Sequence, residues 1–172
     1  AYVDVDNRYG VKLATKHLIQ TGYQKIIYIG MSVDLPFSNE RELGYLDTMA
    51  NNRRVSKVYN VDNHSHVAEK LIDNIMTQLS ENTGVVCATD RIALGVVRAL
   101  NKQNGVPEQY GVVGFDGVFI DQISSPQLTT IRQPFAQIAQ SLVDHLFLQL
   151  EHGELGMQRI VPSLIRRDTT RA

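Results

Sequence analysis

With 172 residues, 43% hydrophobic and 20% charged, the chain has room for one ordinary domain or one and a part, and its composition excludes a disordered protein. A net charge of −1 argues against a free-standing nucleic-acid-binding module, which would carry a basic face; Arg53-Arg54 and Arg166-Arg167 are isolated pairs. No apolar run reaches membrane-spanning length, and the lone Cys87, inside Val85-Val86-Cys87-Ala88, reads as a buried core thiol.

In chain order, strands and helices alternate. Tyr2-Val3-Asp4-Val5 reads as a strand met in its middle, the pattern expected of a fragment of something longer. Asp6 or Asn7 can cap a helix carrying Val11, Ala14 and Leu18, with Gly22 placed to end it. An apolar strand over 26–29 closes at Gly30, and Ser38 is a candidate cap for a helix reaching about residue 50. A strand over 55–61 follows, then a helix over 65–80 with Val67, Leu71, Ile75 and Leu79 spaced by four. A strand over 84–88 leads to a helix whose face is Ile92, Ala93, Val96, Val97 and Leu100, stopped by Asn104-Gly105. The run from Gly111 to Phe115, a second β-rich piece over 128–131 and a helix over 135–151 complete the pattern. Such alternation predicts an α/β fold, with a parallel sheet covered on both faces.

The strand ends are chemically marked. Gly30, Asp62-Asn63, Thr89-Asp90 and Asp116 each stop an apolar run at the edge where open α/β sheets bind ligands. One such carboxylate is equally well a helix cap; several in series favour a site for a small polar molecule. Arg41, in the first turn of its helix, offers a rigid fork of donors, and Asp116 accepts from paired hydroxyls. Gln133 donates and accepts, and Phe135 offers a flat apolar face. No nucleophile elbow, phosphate loop or dinucleotide fingerprint is present, so no enzyme and no cofactor is expected. His64 and His66 flank Ser65 near Asp62, too sparse a set to predict a metal.

These residues carry a likeness. Cys87-Ala88-Thr89-Asp90-Arg91-Ile92-Ala93-Leu94-Gly95, Gly111-Val112-Val113-Gly114-Phe115-Asp116 and Pro126-Gln127-Leu128-Thr129-Thr130-Ile131-Arg132-Gln133-Pro134 together resemble the lactose-repressor (LacI-type) family of bacterial transcription regulators. Arg41-Glu42-Leu43-Gly44-Tyr45 and Leu164-Ile165-Arg166-Arg167-Asp168-Thr169 also fit, so the likeness runs over essentially the whole chain. It implies a doubly wound, flavodoxin-like lobe of periplasmic-binding-protein type I. Residues 1–130 would form the C-terminal lobe, 131–155 would cross into a mostly missing N-terminal lobe, and 156–172 would return. It further implies a cytoplasmic homodimer that binds a sugar, sugar phosphate or nucleobase effector, and operator DNA only through a headpiece outside this chain. Arg41, Thr89, Asp90, Asp116, Gln133 and Phe135 would be the ligand contacts, Thr89 standing where the family usually has asparagine. The dimer surface is expected near 93–98 and 120–125, where Phe119, Ile120 and Ile123 cluster. The helix over 135–151 would belong to the other lobe's sheet. The rival readings are a solute-binding protein for transport or chemotaxis and a flavodoxin-like enzyme.

Overall fold

Four strands with almost no exposed residue set the architecture, because a strand buried on both sides needs helices on both sides. A computed structural model describes residues 2–118, 124–153 and 157–172. Its large sheet contains β2 (Lys25–Met31), β3 (Val58–Val61), β4 (Thr83–Cys87), β5 (Tyr110–Asp116), β6 (Thr129–Arg132) and β8 (Ser163–Ile165). Their order is β3-β2-β4-β5-β6-β8, parallel throughout except for β8, which runs antiparallel to β6. The helices α1 (Asn7–Gln20) and α2 (Pro36–Asn51) pack on each other, as do α3 (Ser65–Ile75) and α4 (Asp90–Asn101). From β2 the chain crosses outward to β3, and from β4 it crosses the opposite way to β5. The crevice between β2 and β4, at their C-terminal ends, is therefore the switch point where such sheets hold ligands.

A smaller unit stands apart. β1 (Tyr2–Val5) pairs in parallel with β7 (Met157–Ile160) in a two-stranded sheet, and α5 (Phe135–His152) packs on these two strands. Tyr2–Val5 and Met157–Ile160, expected within 1–130 and 156–172, pair with each other and share no ladder with the large sheet. Backbone hydrogen bonding decides this, and four-residue strands carry too little pattern to announce their partners. The main contacts of α5 are with β1 and β7 rather than with the strands of Ile26, Val85 and Val112. Leu142, Val143, Leu146, Phe147, Leu148 and Leu150 are all exposed, and Ile138 alone of its stripe touches the core.

Local signals explain most elements. Asp6 caps α1, its side chain accepting from the Tyr9 N–H, and Gly22 follows the helix with a positive φ of 89°. Ser38 is not the cap of α2: Leu35 is the cap residue, Pro36 opens the helix and Ser38 lies buried in the first turn. Proline at that position pre-sets the backbone and has no N–H to satisfy. β2 runs through Gly30 to Met31, and β3 begins only at Val58, Val55 being almost fully exposed. β6 likewise begins one residue late, at Thr129. α3 ends at Ile75, continues as a short 3-10 turn (Met76–Gln78), and buries Ala68, Ile72 and Ile75; of the four-spaced stripe only Ile75 is fully buried, Leu71 and Leu79 are partly so and Val67 is exposed. Four-residue spacing advances about 40° beyond a full turn at each step, so a strict series drifts off one face, and alternating steps of four and three stay on it. The face of α4 is buried as its pattern requires. Residues 119–123, where part of the dimer surface was expected, lie outside the described residues.

Against the far side of the large sheet, the C-terminal segment fills the gap between β5 and β6 with threonines. Thr169 Oγ1 donates to the Val112 carbonyl at 2.7 Å and accepts from the Thr129 N–H at 2.9 Å. Thr170 Oγ1 lies 2.8 Å from His17 Nε2 and 3.1 Å from Thr129 Oγ1. His17 is buried there, and burial, helped by the charge of Arg166, pushes its pKa down from 6.5 to about 4.

The folded state therefore prefers neutral His17, so its contribution is complete above pH 6.5 and is lost as pH falls toward 4. The sign predicts destabilisation of about 1.4 kcal/mol per pH unit over that window. Urea titrations at pH 7 and pH 5 should show it in the wild type and a smaller loss in His17→Gln; equal losses would refute it. A second prediction concerns α5: with one face bare, its amides should exchange with deuterium well before those of β2, β4 and β5.

Candidate ligand-binding site

At the switch point the strand ends and α2 enclose a cavity of about 360 Å³, lined by Asp4, Asn7, Met31, Phe37, Arg41, Asn63, Thr89, Asp116 and Gln133. That volume suits a small molecule. Each side of the cavity comes from a different part of the sequence: Met31 from β2, Asn63 from the turn after β3, Thr89 from the end of β4, Asp116 from β5 and Gln133 from beyond β6. The small sheet contributes Asp4, and Asn7 sits in the first turn of α1.

Arg41 is the centre of the site. It is 4% exposed, and its guanidinium lies over the Phe115 ring at 3.7 Å and within 5.1 Å of the Phe37 ring centre. Nε donates to Asn7 Oδ1 at 2.8 Å, and Nη1 donates to the Ala88 carbonyl at 2.6 Å and reaches Asp116 Oδ1 at 3.5 Å. Burial lowers the pKa of Arg41, opposed first by the charge of Asp116; arginine nonetheless stays protonated at any ordinary pH. Nη2 has no hydrogen-bond partner among the described residues. A buried cation held on two of its nitrogens, with the third left over, is oriented in advance for a ligand oxygen.

Asp116 faces it. Its Oδ1 accepts from Gln133 Nε2 at 2.8 Å, and its backbone carbonyl accepts from the Gln133 N–H at 3.1 Å. Burial raises the pKa of this carboxyl, and Arg41 and Gln133 oppose the rise. The backbone at Asp116 has φ +128°, followed by Gly117 at +71°. A non-glycine residue in that region costs on the order of 1–3 kcal/mol and is kept only where surroundings over-determine it, commonly at functional sites. Oδ2 makes no hydrogen bond within the described residues, so the carboxylate also has capacity to spare.

The other expected contacts divide. Thr89 lines the cavity while doing structural work: its hydroxyl accepts from the Ile92 N–H as the cap of α4 and bonds Asn63 Oδ1 at 2.8 Å. Asp90 is only 1% exposed, both of its oxygens accept hydrogen bonds from within the chain, and it is not in the lining of this cavity. Phe135, half exposed at the start of α5, is not in the cavity lining. His64 caps α3, accepting from the His66 N–H, and among the described residues no cluster could hold a metal. Nor is any described helix long and apolar enough to cross a membrane.

Asp4, Asn7, Met31, Phe37 and Phe115 were missed in the sequence. Phe37 had a usable signal, an aromatic in the loop between a strand end and a helix start. Asn7 had none, since a residue next to a cap reads as capping until its tertiary partner is known.

Comparison with known proteins agrees with this fold. A family model described as a periplasmic binding protein-like domain matches residues 15–170. An uncharacterized HTH-type transcriptional regulator, YvdE of Bacillus subtilis, is 37% identical over 98% of this chain and 54% of its own length. The HTH-type transcriptional regulator GalR of Escherichia coli is 30% identical over 96% of this chain and 50% of its own. Among solved structures, the lac repressor dimer bound to operator and the anti-inducer ONPF superposes with a TM-score of 0.88 at 27% identity, over 99% of this chain and 60% of that one. The chain spans about half the length of the curated relatives it matches. From the strand order, the switch-point cavity and these matches, the chain belongs to the periplasmic binding protein-like domain family and is similar over nearly its whole length to LacI/GalR-type regulators.

Proposed function

We propose that this chain is the larger part of the effector-binding core of a cytoplasmic, ligand-responsive bacterial transcription regulator. In this reading the large sheet with α1–α4 is the C-terminal lobe, and β1, β7 and α5 are the piece belonging to the other lobe. DNA contact falls to a headpiece outside the chain, and the protein works as a homodimer. Its relatives are named as transcription regulators, which favours this over a transport protein or an enzyme.

The observation that carries the reading is the pairing of Arg41 with Asp116 across a switch-point cavity, each with one polar atom left free. A donor fork opposite an acceptor pair matches vicinal hydroxyls, each of which donates and accepts. Phe37 supplies an apolar surface for a sugar ring, and Gln133 and Asn63 supply adaptable amides. Charge decides between candidate effectors. Arg41 feels both Asp116 and Asp4, so the one cation among the described residues of the lining is already balanced. A phosphate would find no surplus positive charge there. The effector class is therefore a neutral monosaccharide in preference to a sugar phosphate, and its vicinal hydroxyls, which a nucleobase lacks, favour it over a nucleobase. Gln133 and Phe135, which bracket the step from β6 into α5, then lie where the two lobes meet, with Phe135 at the rim.

Calorimetry on the full-length protein should find a neutral monosaccharide that binds while its phosphate ester does not. Asp116→Ala should weaken that binding by about 2–5 kcal/mol, the range for truncating one partner of a buried charged hydrogen bond. Unchanged affinity in Asp116→Ala, or tighter binding of the phosphate ester, would refute the reading.

A further inference from the structure

Asp90 is a buried carboxylate that the proposed binding site does not use, and three donors converge on it. Its Oδ2 accepts from the backbone N–H groups of Gly117 at 2.9 Å and Val118 at 3.2 Å, while Oδ1 accepts from the Thr130 hydroxyl. Its position as the first residue of α4 does not explain this, because the capping role is already filled by Thr89, whose hydroxyl takes the Ile92 N–H. The chain has also made room for it. A Cβ on Gly114 would come within 2.3 Å of Asp90 Oδ1, so the carboxylate rests against bare β5 backbone two residues before Asp116.

We propose that Asp90 is the positioning residue of the cleft: without touching the ligand, it holds the turn after β5 that presents the Asp116 carboxylate. That turn needs holding. Asp116 sits at φ +128° and Gly117 at +71°, and a Cβ on Gly117 would lie 2.7 Å from Arg132 Cα. From one side the Gln133 N–H grips the Asp116 carbonyl; from the other, Asp90 grips the next two N–H groups. Four elements thus meet at one side chain: α4 carries it, β6 orients it through Thr130, β5 bares its backbone, and the loop is tied to it. A carboxylate suits the task because, while ionised, it accepts several hydrogen bonds and donates none. The titratable groups coupled to Asp90 are Asp116 from β5 and the Cys87 thiol from β4; β6 shows it only the neutral Thr130 hydroxyl. Burial, with Asp116 adding to it, raises Asp90 to about 6, so the tie changes protonation within an accessible pH range.

The inference rests on reading Asp116 as a ligand contact, but its test needs no ligand, so failure of one does not look like failure of the other. The reporter is the Gln133 side-chain amide, whose Nε2 donates to Asp116 Oδ1. In NMR spectra of this chain, Asp90→Ala should speed exchange of the Gly117 and Val118 amides by roughly tenfold or more. The Gln133 side-chain protons should lose their shifted, protected position with them. Asp90→Asn, which keeps an acceptor for the two N–H groups, should preserve both signals. A purely structural Asp90 would release Gly117 and Val118 yet leave Gln133 unchanged, and that result overturns the proposal. Should Asp90→Ala fail to fold, wild-type protein and Asp90→Asn decide it by pH titration. The Gly117 amide and the Gln133 side chain should share a midpoint in the wild type that is missing from Asp90→Asn. A Gln133 signal blind to that midpoint is equally fatal.

Discussion

The buried guanidinium of Arg41 is the contact on which the rest of the site depends. A cation this deep is tolerated only if its hydrogen bonds are satisfied and its charge is answered. The chain meets both demands with groups from distant parts of the sequence: Asn7, the Ala88 carbonyl, Asp116 and the face of Phe115. Because Asn7 also donates to the Val5 carbonyl, the same side chain links β1 of the small sheet to Arg41. The interaction that would grip a ligand therefore also couples the two units that meet at the cleft.

The second constraint is the turn after β5. A carboxylate in an unfavourable backbone conformation stays there only if neighbours hold it, and Gln133 and Asp90 do so from opposite sides. Strand ends in a parallel sheet all point the same way, which is why these residues can meet although 43 positions of chain separate Asp90 from Gln133. The packing behind the site follows the same logic. A Cβ on Gly44 would clash at 2.3 Å with the Arg8 carbonyl, so the glycine lets α1 and α2 approach closely enough to close one wall around Arg41.

The two units differ in how complete they are. The large sheet is sheathed by helices on both faces, and its core side chains are buried nearly without exception. The small sheet has two strands and one helix, and α5 turns Leu146, Phe147 and Leu150 to solvent. A two-stranded sheet is marginal without more strands or a covered face. The contrast in burial, more than any loop, marks where this polypeptide has finished folding against itself.

Much of this was legible in the sequence by itself. Alternating apolar runs and helical stripes determined the α/β class, since a strand buried on both sides and an amphipathic helix leave different periods. Arg41, Asp116 and Gln133 were legible because each stands where an apolar run or a helix start stops abruptly. Tertiary structure alone decided the rest. The pairing of Tyr2–Val5 with Met157–Ile160 spans most of the chain and rests on backbone hydrogen bonds, which side-chain patterns do not encode over four residues. Asp90 and Thr89 were indistinguishable as ligand contacts until the path of the Gly117 and Val118 amides was known. Asn7 and Phe115 acquired their roles only when Arg41 was brought between them, because what a buried polar or aromatic group does depends on what it faces.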